Sequence, residues 1–240
     1  YSLQIQESET MAISANNQLY FHWIPIVIGI ILMLPIGEKI GDKFPSLSTK
    51  RSRTIGGMIF VMLGGFSVSV HTLYFHNKML EIGSGANVCA GDGLLDCSSV
   101  IGNDNWNTVP VLGLPWGIMG MLAFAVMLWI IFSIAKEPAG AFIADLLNYG
   151  RMIGILGLFV VLFLMYAEYD IGKICQYCST AHFAHIVVTV GFFNLNKMHK
   201  TSEWGKGYSK SLSDIAETSE RKSRRRGYVK PESGDVIEEE

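Results

Sequence analysis

Cysteine is scarce in this chain: Cys89, Cys97, Cys175 and Cys178 are the only four among 240 residues. Whatever chemistry the Cys-x-x-Cys pair in ICQYCSTAHFAH (174–185) performs, only Cys89 and Cys97 can assist it. Charge is scarce too. Charged residues make up 17 % of the chain, against roughly a quarter in a soluble domain, which argues against an ordinary soluble fold. No Lys or Arg precedes Leu19, and the net charge of −2 informs only through its distribution. A Gly-rich phosphate loop, a heptad run and an internal repeat are all lacking. The composition therefore points away from nucleotide-binding, coiled-coil and repeat architectures, and no nucleic-acid partner is expected.

What is plentiful is apolar sequence, half of all residues. Crossing a hydrocarbon core of about 30 Å takes roughly 20 apolar residues. Five runs approach that length, at 19–36, 55–75, 110–135, 151–169 and 174–195. The first is the weakest, being short and holding Pro25 and Pro35. A cleaved signal peptide is its rival reading, but no small-residue cleavage site follows. The expected fold is an all-α integral membrane protein, a four-helix transmembrane bundle with one extra N-terminal transmembrane helix. In domain terms this gives an N-terminal segment 1–18, the extra span 19–36, a bundle 55–195 with a loop 76–109, and a polar, disordered tail 196–240. That tail carries RKSRRR (221–226) and ends in IEEE.

Lys and Arg accumulate on the cytoplasmic side of short loops. Lys39, Lys43, Lys50, Arg51 and Arg53 follow the first run, and Lys197, Lys200, Lys206 and Lys210 follow the last. The loop 76–109 holds Lys78 against Glu81, Asp92, Asp96 and Asp104. Five spans then place the N-terminus outside a plasma membrane and the C-terminus in the cytosol. All four cysteines fall on the outer side, where disulfides form and persist.

On a helix, residues 175, 178, 182, 185 and 189 share one face. They are Cys175, Cys178, His182, His185 and Thr189, while Phe183, Ile186, Val187, Val190 and Phe193 lie opposite. A polar stripe on a membrane helix must face the bundle interior. The free N–H groups and positive dipole end near Cys175 favour a thiolate. In NVCAGDGLLDCSSV, Gly91 and Gly93 ease a turn between Cys89 and Cys97. One pair in an outer loop and one at a helix mouth suggest a relay by thiol–disulfide exchange. An apolar two-electron acceptor in the membrane, a quinone, would drain the inner pair. His182 and His185 could hydrogen-bond its carbonyl oxygens or move its protons, with Trp116 and Phe183 as candidate walls.

An outer loop with two cysteines, a Cys-x-x-Cys opening the last span and an intervening GLPWGIMG (113–120) resemble the vitamin K epoxide reductase family. The resemblance covers roughly 55–195. It implies an integral-membrane thiol oxidoreductase that couples a quinone to disulfide formation. By matching positions, Cys89 would exchange with a thioredoxin-like partner and Cys97 would shuttle between Cys89 and Cys175. Cys178 would face the quinone. Asn103 stands where the family often has a serine, six residues after the second loop cysteine, and is a further candidate contact. His182 replaces the tyrosine of the animal enzymes four residues after the last cysteine. The tail is too short for a fused thioredoxin domain, so the partner is expected to be a separate protein.

Other readings compete. The cysteines could form one structural disulfide and two buried thiols, or a tetrahedral zinc site, although the seven-residue gap between Cys89 and Cys97 suits zinc poorly. A non-catalytic subunit that keeps the fold as an assembly partner in a larger membrane complex is the alternative from another class. Glu168 and Asp170 are expected to be solvated interface charges, and the spaced glycines Gly57/Gly64, Gly113/Gly117 and Gly150/Gly154 to be helix-packing positions.

Overall fold

The computed structural model describes residues 2–82, 88–89 and 93–205, with side chains from Gln18 onward. Helix α1 (Ser2–Met33) runs through Pro25, and its apolar part is Gln18–Met33. A short α2 (Gly37–Gly41) and a 3₁₀ turn (Pro45–Leu47) lead into α3 (Lys50–Ile82). After the five-residue α4 (Cys97–Ile101) come α5 (Trp116–Lys136), α6 (Ile143–Ile171) and α7 (Gln176–His199). α3, α5, α6 and α7 are each long and apolar enough to cross a membrane. This is the expected four-helix membrane bundle with an additional N-terminal helix.

Lipid tails are as apolar as leucine, so the helices hold together by close packing rather than by escape from solvent. α3 is central, packing on α1, α5 and α7, while α6 closes the bundle against α7 and α5. Glycines set the approach. A Cβ on Gly57 would stand 2.5 Å from the Gly29 carbonyl oxygen of α1, and one on Gly117 would stand 2.8 Å from the Leu73 nitrogen of α3. Gly64 faces Ile26, and Gly150 and Gly154 face Phe192 and Thr189 of α7. Gly113 departs from the helix-packing expectation. It sits in the turn before α5, with φ +64° and open space around it.

Two apolar clusters fill the bundle. One lies toward the α1–α3 loop, built on Ile26, Met58, Met62, Phe124, Met127, Leu147 and Phe192. The other surrounds the cysteines and includes Val68, Phe75, Met79, Ile101 and Tyr177.

Several boundaries differ from the sequence expectation. α3 begins at Lys50 and ends at Ile82 rather than spanning 55–75, because Thr49 and Ser52 exchange capping bonds just before the apolar run. The residues 110–115 form a turn, with Val109 N–H donating to Leu114 O, and α5 starts only at Trp116. α7 continues past 195 to His199. The following turn is folded, since Trp204 Nε1 donates to Pro138 O at 2.8 Å and Arg51 lies over the Trp204 ring while bonding its carbonyl. The rest of the expected tail, 206–240, lies outside the described residues, as do Gly91 and Asp92 of the cysteine loop. Arg53 is only 7 % exposed, held by Glu38 at 3.2 Å and by the Ser48 carbonyl at 3.1 Å.

Candidate functional site: two cysteine pairs and a membrane cavity

α6 ends at Gly172, whose φ of +70° is the left-handed conformation that glycine adopts without penalty. The chain turns back there. Ile174 N–H donates to Leu94 O at 2.9 Å, and Asp96 N–H donates to Ile174 O at 3.1 Å. Lys173 Nζ adds a bond to Gly93 O at 2.7 Å. This short parallel pairing clips the cysteine loop to the mouth of α7, so Cys97 at the start of α4 and Cys175 at the cap of α7 enter one buried cluster.

Each pair is joined as a disulfide, Cys89–Cys97 with Cα atoms 5.6 Å apart and Cys175–Cys178 with 5.2 Å. The four sulfurs are thus taken up two by two. Asp96 caps α4, its carboxylate accepting the Ser99 N–H at 3.0 Å and the Ser99 hydroxyl at 2.6 Å. Ser98 then reaches Cys89, its hydroxyl accepting the Cys89 N–H at 3.0 Å. Cys175 caps α7, its sulfur accepting the Cys178 N–H at 3.1 Å. That contact places the inner pair where the helix dipole favours negative charge on sulfur.

Cys178 looks into a cavity of about 190 Å³ between α3, α5, α6 and α7. Its walls include Trp116, Gly120, Phe124, Val161, Leu164, His182 and His185. A cavity of roughly 150 Å³ accommodates a benzene ring, so the space suits a single six-membered ring beside the sulfur. The polar atoms in its wall are largely committed. Ser69 and Thr72 donate to carbonyls of their own helix, and Trp116 Nε1 donates to Trp106 O at 3.0 Å. His185 Nε2 donates to the Gly154 carbonyl at 3.0 Å, tying α7 to α6. His182 has no hydrogen-bond partner among the described residues.

The expected face of α7 is therefore assembled. Cys178, His182 and His185 line the cavity with Trp116, and Thr189 is buried below. Phe183 and Asn103 do not line it. Phe183 is 39 % exposed and packs on Trp23 of α1 with ring centroids 5.4 Å apart. Asn103 organises a turn, its side-chain oxygen accepting Asn105 N–H and its carbonyl accepting Trp106 N–H and Asn107 N–H.

The structure corrects one expectation and adds one residue that the sequence analysis does not single out. Glu168, expected to be solvated, is 9 % exposed and accepts the Cys175 N–H at 3.1 Å. The turn at Gly172 is the physical reason, since it folds residue 175 back over the last turn of α6. Asp170 does remain exposed and accepts Trp106 Nε1–H at 3.1 Å. Second, His22 of α1 bonds Ser67 at 2.8 Å and His71 at 2.9 Å, beside Tyr177. A histidine on the weakest span gave no signal by itself. Among the described residues, the donor atoms of Glu168, Cys175 and Cys178 form the one group compact enough to suit a metal ion, but sulfurs bonded to each other are not thiolate ligands.

The search of curated proteins finds no match. The family description "Vitamin K epoxide reductase family" matches residues 57–192, from the first turns of α3 into the second half of α7 and across both cysteine pairs. That is more than half of the chain and takes in the bundle, the clipped loop and the cavity; the protein belongs to the vitamin K epoxide reductase family, multi-pass membrane proteins of thiol–disulfide oxidoreduction.

Proposed function

We propose that the protein oxidises a separate thioredoxin-like protein and passes the electrons to a membrane quinone. Electrons enter at Cys89/Cys97, move to Cys175/Cys178 and leave at Cys178. The observation that carries this reading is the position of the inner pair: backbone pairing binds it to the outer pair on one side, and a ring-sized apolar cavity opens beside Cys178 on the other. A thiolate of Cys97 attacks Cys175 Sγ, the Cys175–Cys178 bond breaks, and its electron pair stays on Cys178. A Cys89 thiolate then attacks Cys97 and releases Cys175. Bound in the cavity, the quinone supplies the two-electron sink. His182 is the wall group left to donate to one of its oxygens, while Trp116 and Phe124 exclude water from the ring. The distribution of Lys and Arg supports an orientation with the cysteines outside and the C-terminus in the cytosol of a plasma-membrane protein.

The test is direct. Purified protein, a reduced thioredoxin-like protein and a short-chain quinone analogue are mixed, and quinone absorbance is followed. Turnover that vanishes in Cys89→Ala, Cys97→Ala, Cys175→Ala and Cys178→Ala alike supports the relay. Turnover indifferent to Cys178→Ala means the cavity is not where electrons leave.

A further inference from the structure

The exchange between the two pairs moves protons as well as electrons, and the sulfur that changes partners twice, Cys175, needs a group to hold its proton. The geometry points to Glu168 as the group that holds the Cys175 proton. Its carboxyl is buried, accepts the Cys175 N–H through Oε1 at 3.1 Å, and has an oxygen within 4.8 Å of both the Cys175 and Cys178 sulfurs. With Oε1 engaged, Oε2 is the oxygen left to carry a proton. A second, smaller cavity of about 50 Å³ is lined by both Glu168 and Cys178 and shares the Trp116, Leu164 and Cys178 walls of the ring-sized space. No Lys or Arg lines it. The other titratable group in its wall is His76 from α3; α4, α5 and the 106–107 segment present Val100, Ile101, Trp116, Trp106 and Asn107.

The assignment rests on the relay proposed above and completes its balance. When Cys89 attacks the Cys97–Cys175 mixed disulfide, the S–S bond breaks and Cys175 leaves as a thiolate. Glu168 protonates it. When Cys175 next attacks to re-form its bond with Cys178, its proton returns to Glu168 and the electron pair passes through Cys178 to the quinone. Glu168 ends each cycle as it began. The two protons that the quinone takes up match the two given up by Cys89 and Cys97. The charge on Cys175 is thereby confined to the moments when it attacks or leaves, which matters in a site where an unpaired charge is costly.

Glu168→Gln keeps an oxygen to accept the Cys175 N–H and removes the proton carrier. Full-length protein in lipid nanodiscs is reduced and mixed with a short-chain benzoquinone, and reoxidation of the inner pair is read by quenching with a labelled alkylating agent. The Gln variant is expected to reoxidise at least about 100-fold more slowly, the range in which positioned acid–base groups act. Glu168→Asp, which keeps a carboxyl, is expected to recover part of that loss. Without quinone, the rate of Cys175 alkylation against pH is expected to show two ionisations in the native protein and one in the Gln variant. Coincident pH profiles for the two proteins overturn the assignment, as does an Asp variant as slow as the Gln one. Profiles that differ, in a protein that no quinone reoxidises, leave Glu168 standing and remove the relay.

Discussion

Two histidines one turn apart on α7 share the cavity wall but divide the work. His185 gives its Nε2 proton to the Gly154 carbonyl and packs edge-on to Phe124, so it is part of the α6–α7 joint. His182 has no such partner among the described residues, so its ring is open to a ligand. His182→Ala is expected to raise KM for a quinone analogue up to about tenfold, the equivalent of one hydrogen bond, with little change in the melting temperature. His185→Ala is expected to do the reverse, costing about 1–3 kcal/mol of stability while leaving KM nearly unchanged. Thermal unfolding and steady-state kinetics of both variants decide; a KM defect confined to His185→Ala would reverse the assignment. The 3-4-3-4 spacing of α7 made this face legible in the sequence, since a polar stripe in lipid has one place to point. It did not make Phe183 legible. That residue covers a helix, α1, that lies outside the four-helix pattern, and its contact with Trp23 is a matter of docking rather than period.

Between residues and fold, the short α4 is the element on which the proposed relay turns. Asp96 both pairs with Ile174 through its backbone and caps α4 through its carboxylate, so one residue sets the register of the loop and the start of the helix that carries Cys97. Asp96→Ala removes the cap at a cost of about 1 kcal/mol and lets the first turn of α4 fray. Quinone reduction driven by a thioredoxin-like donor is expected to slow several-fold. Reduction driven by a small dithiol that reaches the inner pair directly is expected to stay near the native rate. Equal losses with both donors would mean that α4 supports the bundle as a whole and not the exchange. The sequence carried part of this element. The Asp-x-x-Ser pattern ahead of Val100 is a cap signal, and Gly172 after an apolar run is a helix-stop signal. The pairing of 94–96 with 174 joins residues about 80 apart, and no local pattern announces it. Glu168 is illegible for the same reason: among Tyr166, Tyr169 and Asp170 it looks interfacial until the turn brings Cys175 over it.

At the scale of the whole molecule, α1 stands apart from the unit that the family description covers, which begins only at residue 57. It is nonetheless seated firmly. Backbones meet at Gly29 and Gly57, and His22 reaches Ser67 and His71 near Tyr177, the neighbour of Cys178. The Ser67 hydroxyl donates to Gly64 O at 2.9 Å, so its oxygen accepts from His22 Nδ1, and His22 Nε2 accepts in turn from His71. A polar chain and two glycine contacts, Gly29 on Gly57 and Gly64 on Ile26, therefore fasten α1 to α3, and the cavity beside Cys178 takes no lining residue from α1. The proposed electron path and the attachment of α1 are separable on this geometry. Gly29→Leu puts a branched side chain where the α3 backbone now sits and forces the two helices apart. The melting temperature is expected to fall by several degrees, and trypsin is expected to cut faster at Lys39 and Lys43, whose loop is held by Arg53 and Glu38. Quinone turnover below the transition is expected to stay within about twofold of native, since nothing in the cavity wall moves. A variant that unfolds no sooner but loses turnover would place α1 inside the catalytic unit, with the His22–His71 pair and Tyr177 as the route by which it acts on Cys178.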